Sequence, residues 1–463
     1  MHQLKGGLKL KTTAQKMTLF ALTWPIFIEM LLHMFMGNSD TLMLSMFSDS
    51  AVAAVGVSNQ ILYVLIVMFG FVATGTAILV AQNLGANLRK SASEIAVLAI
   101  LANLAFGLVI SAFVFFFSKP LLSMMNLPAE LMPQARSYLN IVGGFMFVEA
   151  LIMTVGAILR SYGFTRDSMF VTIGMNILNV VGNSIFIFGL FGMPVLGVEG
   201  VALSTIVSRM IGLVVIIVLL FKRIEEPLPF RKFMGLPKGH LKNLLKIGVP
   251  SAGEHLAYNA SQIIITYFIA EMGTDSLTTK VYAWNLMMVV LVFSISISEG
   301  TRIMVGYMIG ANEYDSAYKR CINSLKISLV LTTVMATVCY LIARPVFSIF
   351  TDNQEIIAMG VTLMLLTIIL EPGRAFNLVI INSLKAAGDV KFPVYMGILS
   401  MLGVSVTISY VLGIHFGLGL VGVWISFIAD EWFRGLIMLF RWRSRVWETK
   451  SFVKNEPVSV NAV

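Results

Sequence analysis

The sequence predicts an all-α, polytopic membrane protein with twelve transmembrane helices in two related lobes of six. Of its 463 residues, 57% are hydrophobic and only 12% are charged, whereas a soluble domain carries about 25% charged residues. The apolar runs are about 20 to 30 residues long, which is enough to cross a hydrocarbon core of about 30 Å. Motifs of the first half recur in the second half, an arrangement typical of membrane proteins built from two helix bundles.

Six apolar spans precede a polar, proline-rich stretch at 222–240, and six follow it. The predicted spans are 17–42, 52–83, 92–117, 134–160, 168–190, 197–221, 241–270, 277–308, 321–346, 356–384, 393–415 and 419–441. Basic tails at 1–16 and 442–463 flank the spans. We therefore expect an N-lobe at 17–221, a linker at 222–240 and a C-lobe at 241–441.

An internal repeat relates the two halves. Leu84-Gly85-Ala86-Asn87 closes one apolar run, and Ile309-Gly310-Ala311-Asn312 closes another 225 residues later. The other matching pairs at this offset are Pro25 and Pro250, Glu29 and Glu254, Arg160 and Lys385, and Gly163 and Gly388. Residues 196–204 resemble residues 418–426 at an offset of 222. Since each half has six spans, the repeats are parallel, and such halves can rock around a central cavity.

The distribution of Lys and Arg predicts the orientation in the membrane. Positive charges are concentrated in both tails, in the linker and in the loops that contain Arg89-Lys90, Arg160 with Arg166, Lys319-Arg320, and Lys385 with Lys391. The opposite loops carry few, at Lys119, Lys280 and Arg344. Because cytoplasmic loops carry the excess of positive charge, we expect a plasma-membrane protein with both termini in the cytoplasm. The net charge of +9 is explained by this topology and does not indicate nucleic-acid binding.

Ionisable residues inside apolar spans are candidates for function, because each costs about 2.5–3.5 kcal/mol on insertion scales. Asp40 and Glu254 have no Lys or Arg within one helical turn. An unpaired carboxylate in a low dielectric can exchange a proton near neutral pH, or it can contribute oxygen ligands to a Na⁺ site. We therefore predict that Asp40 and Glu254 bind a coupling ion, either Na⁺ or H⁺.

Other intramembrane charges have a neighbour at helical spacing. The pairs three residues apart are Glu299 with Arg302, Glu371 with Arg374, and Glu431 with Arg434. Such neighbours can pair on the surface of one helix, so a structural ion pair is the alternative to a functional role. Glu29 and His33 are four residues apart on one face, and a charge near the membrane interface held by His33 is the alternative for Glu29.

Several classes of protein are excluded by the motifs that the sequence lacks. It contains no GxxxxGK[ST] phosphate-binding loop, no HExxH and no paired-cysteine motif, so neither ATP hydrolysis nor a zinc enzyme is indicated. Cys321 and Cys339 indicate no disulfide framework. The loops are too short for a soluble catalytic domain, so we expect neither an enzyme nor a cofactor or metal other than the coupling ion. The loop at 85–94 lacks the Gly-Asp-Arg-Lys signature of the major facilitator family.

Taken together, the motifs resemble those of the multidrug and toxic compound extrusion (MATE) transporters over nearly the whole chain. The stretches that carry the resemblance are Pro25 with Met36-Gly37-Asn38-Ser39-Asp40, Ala53-Ala54-Val55-Gly56, Val80-Ala81-Gln82-Asn83-Leu84-Gly85-Ala86 with its echo at 305–311, Leu159 to Gly163, Asn179 to Gly189, and Gly197 to Ser204. The resemblance implies two six-helix lobes that rock and that export organic cations or other drugs in exchange for Na⁺ or H⁺.

The resemblance also implies roles for single residues. Asp40 matches the first-span aspartate that the family uses for coupling or substrate binding. Asn183 stands where some members have a second aspartate, so a proton mechanism with two N-lobe aspartates is not matched. Tyr258 stands where many members have a glutamate eight residues after the proline, and Glu254 lies one turn earlier on the same face. Arg374 falls near an acidic position of the tenth span, where a positive charge disfavours cations.

We therefore expect a cation-coupled antiporter that exports drugs or toxic organic compounds. The expected coupling residues are Asp40 and Glu254, and the candidates for lining the substrate cavity are Glu29, His33, Asn179, Asn183, Tyr258, Arg374 and Asn377. The expected partners are the lipid bilayer and a small, amphipathic organic substrate, and we expect a monomer. The alternative is a flippase or exporter of a lipid-linked or peptide-like metabolite, since Arg374 would suit an anionic substrate. A membrane-bound enzyme or receptor would need a catalytic cluster or a long soluble loop, and neither is visible.

Overall fold

The computed structural model describes residues 18–230, 235 and 237–453, without the side chain of Asn38. The predicted tail at 1–16, the linker residues 231–234 and 236, and residues 454–463 of the second predicted tail lie outside the described residues. The described chain consists of helices joined by short connections, and it contains no strand.

Each of the twelve predicted spans coincides with one helical segment of the described chain. The segments are α1 Leu19–Ser45, α2 Asp49–Gly85, α3 Arg89–Met124, α4 Met132–Gly144 with Met146–Ser161, α5 Thr165–Phe188, α6 Val198–Arg223, α7 Lys238–Glu271, α8 Thr274–Gly310, α9 Tyr314–Leu341, α10 Gln354–Ala386, α11 Lys391–His415 and α12 Gly419–Arg443. Shorter helices are Leu190–Gly192, Ala343–Phe350 and Val446–Thr449.

Length and apolarity identify most of these segments as membrane spans. Among the described residues, nine helices are long and apolar enough to cross a membrane, and α4 raises the number to ten if its two parts, bent by 42°, are one span. The remaining two segments, α7 and α12, are long enough but contain charged residues such as Glu254 and Asp430. The predicted class of all-α, polytopic membrane protein is confirmed.

Several helices deviate from regular geometry inside their apolar length. Pro25 lies inside α1 and Pro250 lies at the equivalent position inside α7. A proline inside a helix removes one backbone hydrogen bond, and such helices kink at this point. In α11, the stretches Met401–Val406 and Ser409–His415 are π-helical, a geometry that is rare and is frequent at functional sites.

The first of two compact units comprises Trp24–Val80 and Leu88–Gly248. We call it the first-half unit, because it contains most of α1 and α2 and all of α3 to α6. Its core is formed by fully buried apolar side chains, among them Phe69, Leu139 and Ile158.

The second-half unit comprises the described residues up to Thr23, the segment Ala81–Asn87 and the chain from Val249 onwards. Its core includes the buried side chains of Phe347, Leu370 and Trp424. The last turn of α2 therefore packs with helices of the second half of the sequence.

The repeated Gly-Ala-Asn motifs meet inside the second-half unit. A Cβ atom on Gly85 would lie 2.0 Å from the backbone oxygen of Tyr307, and one on Gly310 would lie 1.9 Å from that of Gln82. The two glycines thus allow the ends of α2 and α8 to approach in direct backbone contact. Asn87 and Asn312 follow with φ of 61° and 60°, because asparagine is one of the few residues that end a helix in the left-handed region.

Candidate functional site

A buried polar cluster surrounds Asp40 in the first-half unit. The Asn183 side-chain amide donates a hydrogen bond to Oδ1 of Asp40 at 2.6 Å, and Asn179 donates to Oγ1 of Thr205 at 3.2 Å. Asp40 is 5% exposed and both asparagines are fully buried. Helices α1, α5 and α6 contribute these residues, so the cluster joins three spans of one unit.

The Asp40 cluster offers oxygen ligands without a neutralising ion pair. No salt bridge involves Asp40 in the described part of the chain, and Oδ1 of Asn183 is buried with no hydrogen-bond partner there. Carboxylate, amide and hydroxyl oxygens are the ligands that hard cations prefer. Arg209 of α6 contributes positive charge to the surroundings of Asp40, while its Nε lies 3.4 Å from Oε2 of Glu149.

A second carboxylate of the first-half unit, Glu29, is paired across helices. Nη1 of Arg160 lies 2.7 Å from Oε1 of Glu29, and the Ser168 hydroxyl donates to the same oxygen at 3.0 Å. His33 is exposed and forms no ion pair with Glu29. The alternative in which His33 holds Glu29 is therefore wrong, because the partner comes from α4 rather than from the same helix.

The second-half unit contains the repeat-related counterpart of this pair. Nζ of Lys385 lies 2.6 Å from Oε2 of Glu254, and both side chains are about nine-tenths buried. The two partners are 131 residues apart, as are Glu29 and Arg160. The premise that Glu254 is an unpaired carboxylate is wrong, since Lys385 belongs to α10 and not to a solvated loop.

A network of five charges lies elsewhere in the second-half unit. Arg374 contacts Glu371 at 2.6 Å and Glu431 at 3.5 Å, and Arg434 contacts Glu431 at 3.2 Å and Asp430 at 2.6 Å. All five residues are at most 9% exposed. The three carboxylates exceed the two guanidinium groups by one negative charge, and Oε2 of Glu371 is buried without a partner among the described residues.

This network borders a small cavity of about 20 Å³, which has room for about one water molecule. Tyr258 of α7, Trp284 of α8, Arg374 and Arg434 contribute to its lining. The guanidinium carbon of Arg374 lies 5.8 Å from the Trp284 ring centroid. The Asn377 amide donates to Oε2 of Glu431 at 2.9 Å.

The predicted site residues thus separate into distinct groups. Asp40, Asn179 and Asn183 form one cluster, and Glu29 forms a separate ion pair in the same unit. Tyr258, Arg374 and Asn377 belong to the charge network and its cavity. The three predicted pairs at a spacing of three residues are present as ion pairs.

Sequence reasoning missed three basic residues inside the helices. The sequence prediction places Arg160 and Lys385 in loops, and it does not include Arg209. The signal was present in the repeat, since Glu29 with Arg160 and Glu254 with Lys385 recur at one common offset of 225 residues. Equal offsets for an acid and a base indicate that the same contact recurs between the corresponding two helices of each half.

The family of this chain is identified by a match to a protein-family model. The model named MatE matches residues 25–185 and 250–411, one segment in each half and more than half of the chain in total. The chain belongs to the MatE family. The predicted resemblance is confirmed, and so is the coarser functional prediction of a multi-pass membrane transporter.

Relatives and solved structures of transporters agree with membership of the MatE family. The chain is 55% identical over 442 residues to the uncharacterized transporter YisQ of Bacillus subtilis, covering 95% of this chain and 97% of that relative. It is 26% identical to a probable multidrug resistance protein NorM of Thermotoga maritima, covering 95% of each chain. A solved transporter of the MOP superfamily from Pyrococcus furiosus has the same fold, with a TM-score of 0.85, 20% identity and coverage of 94% and 96%.

Proposed function

We propose that this MatE transporter is a cation-coupled antiporter that exports drugs or toxic organic compounds, with Na⁺ or H⁺ as the coupling ion. The observation that carries the proposal is the Asp40 cluster, in which a buried carboxylate has amide partners and no salt bridge among the described residues. Relatives named as multidrug resistance proteins support the export of drugs.

The chemistry of the cluster suggests how an ion is coupled to a substrate. A buried carboxylate without a salt bridge is costly in a low dielectric, so it favours a bound proton, a bound Na⁺ or a cationic substrate. The three are mutually exclusive at one carboxylate, because each removes the same negative charge. Exchange at Asp40, combined with alternating access of two lobes, is sufficient for antiport.

Proteoliposomes test this proposal directly. We expect efflux of a fluorescent organic cation under an imposed Na⁺ gradient or an imposed pH gradient, applied separately so that the coupling ion is identified. In Asp40→Asn the driven efflux falls to the level of empty vesicles, while Asp49→Asn, which alters an exposed acid at the start of α2, keeps it. Transport that requires ATP and ignores both gradients would exclude an antiporter, and undiminished efflux in Asp40→Asn would remove this residue from coupling.

The alternative is a flippase or exporter of a lipid-linked or peptide-like metabolite, for which Arg374 would provide a positive charge that suits an anionic substrate. The guanidinium group of Arg374 contacts both Glu371 and Glu431, and the network contains three carboxyl groups for two guanidinium groups. Arg374 is therefore not an available positive charge for an anion, and no other observation favours this alternative.

The proposal includes a plasma-membrane location, cytoplasmic termini, a monomeric state and a small, amphipathic organic substrate. Reporter fusions to either terminus test the topology. Activity of a cytoplasmic reporter at both ends supports it, and activity of a reporter that works only outside the cell at either end contradicts it.

A further inference from the structure

An apolar crevice of about 630 Å³ lies on the second-half unit between the start of α11 and the end of α12. Its wall includes Phe392 of α11 and Phe433, Leu436 and Phe440 of α12. The last three side chains are 45%, 56% and 79% exposed. A volume of this size is within the range of about 300–1,000 Å³ that is typical of ligand pockets.

One end of the crevice is basic. Arg441 lines it, stacks at 4.6 Å over the Phe392 ring, and donates from Nε to Asp389 at 2.7 Å. The two terminal nitrogens of Arg441 have no acceptor among the described residues. Lys391, adjacent to Phe392, is exposed and has no ion-pair partner in the described chain, and the hydroxyl of Ser444 also lines this end.

We propose that this crevice binds one anionic phospholipid, with an acyl chain along the apolar wall and the phosphate at Arg441, Lys391 and Ser444. The charge distribution supports this occupant, because an amphiphile with an apolar chain and a negative head matches an apolar wall that includes Arg441, with the exposed Lys391 next to Phe392 in the sequence. Basic pockets between membrane helices bind anionic headgroups by the same combination of charge and hydrogen bonds.

The segment after α12 links the crevice to the stability of its unit. Val446 lines the crevice, and the neighbouring Trp447 stacks on Trp442 with ring centroids 4.1 Å apart. A lipid seated against Val446 and Phe440 therefore holds this segment in place. A ligand that binds only the folded state raises the unfolding temperature, so thermal unfolding reports occupancy.

The test uses full-length protein in detergent, with phosphatidylglycerol or phosphatidylcholine of identical acyl chains added. We expect phosphatidylglycerol to raise the unfolding temperature by about 2–4 °C more than phosphatidylcholine does. Leu436→Trp, which fills the crevice, removes this difference. Val214→Trp is the matched control, since Val214 occupies the repeat-related position on α6 at an offset of 222 and is 61% exposed.

Lys391→Gln is a second variant that alters only an exposed side chain. We expect it to reduce by half or more the extra rise in unfolding temperature that phosphatidylglycerol gives over phosphatidylcholine. Native mass spectrometry should detect one retained phosphatidylglycerol on wild type and on Val214→Trp but not on Leu436→Trp. Equal stabilisation by the two lipids, or an unchanged increment in both crevice variants, would overturn the proposal. The experiment measures lipid binding and not efflux. A negative result would therefore contradict the lipid site without contradicting the proposed antiport.

Discussion

At the scale of single residues, the partner of each buried charge determines what the charge can do. Glu29 and Glu254 are each neutralised by a base on another helix, whereas Asp40 is held by an uncharged amide. Removing one member of a buried ion pair leaves an uncompensated charge and costs about 3–5 kcal/mol, while replacing both members by apolar groups is often neutral. Comparing the stability of single and double variants therefore distinguishes a structural ion pair from a coupling residue.

Glu254→Gln is expected to lower the free energy of unfolding by about 3–5 kcal/mol, because it leaves Lys385 buried without a counter-charge. The double variant Glu254→Gln with Lys385→Met should recover most of this loss. Thermal unfolding in detergent measures both changes.

Efflux from the same double variant then tests the predicted coupling role of Glu254. If stability and driven efflux both recover, the pair is structural. If stability recovers and efflux does not, Glu254 takes part in coupling. Equal stability of Glu254→Gln and wild type would contradict the buried ion pair.

At the scale of helices, the repeated motifs determine how α2 and α8 end. Gly85 and Gly310 allow backbone-to-backbone contact, and the asparagine two residues later ends each helix in the left-handed region. Gly163 and Gly388, a second repeat pair, end α4 and α10 with φ of 89° and 96°. The repeat therefore preserves helix ends and close contacts, which depend on backbone geometry.

Gly85→Ala is expected to destabilise the protein by about 1–3 kcal/mol, the usual cost of overpacking a tight contact, because its Cβ atom would lie 2.0 Å from the Tyr307 oxygen. Gly56→Ala in the same helix is the control, since its Cβ atom would meet nothing within 4 Å. The midpoints of thermal unfolding compare the two variants. Equal midpoints would show that α2 and α8 do not meet at Gly85.

At the scale of the whole molecule, residues distant in sequence complete one unit. The Gln82 amide donates to the backbone oxygen of Ala386 at 2.6 Å, and its Oε1 accepts from the backbone N–H of Phe452 at 3.0 Å. Gly388 allows the backbone of Lys450 to pass, because a Cβ atom there would lie 2.1 Å from the Lys450 oxygen. Residues 444–453 are thus packed against the second-half unit by a residue of the first half of the sequence.

Gln82→Leu keeps the approximate volume but leaves the Ala386 oxygen and the Phe452 N–H without their partner, each at a cost of about 1–3 kcal/mol. We expect faster hydrogen exchange in a peptide covering residues 446–453, measured by mass spectrometry. Ser451→Ala removes two longer hydroxyl bonds, one to Gln82 at 3.3 Å and one from the Val453 N–H at 3.3 Å, and should change the exchange less. Unaltered exchange in Gln82→Leu would contradict the attachment of this segment.

The sequence by itself determined the fold class, the positions of twelve helical segments and the repeat. These features depend on local quantities, namely the length of apolar runs, the scarcity of charge and the spacing of motifs. The sequence also identified Asp40, Asn179 and Asn183 as candidates, although their assembly into one cluster required α1, α5 and α6 to pack together. The ion pairs between residues three apart could also be predicted from the sequence, since helical spacing alone brings their side chains together.

Only the tertiary structure decided which charges lack a counter-charge. Glu254 has no Lys or Arg within one turn of its own helix. Its partner Lys385 is 131 residues away in the sequence and belongs to α10. Contacts between helices depend on their packing and rotation, which no local pattern encodes. The same reason explains why Arg374, for which helical spacing predicts only Glu371 as a partner, is also contacted by Glu431 of α12, and why the last turn of α2 belongs to the second-half unit.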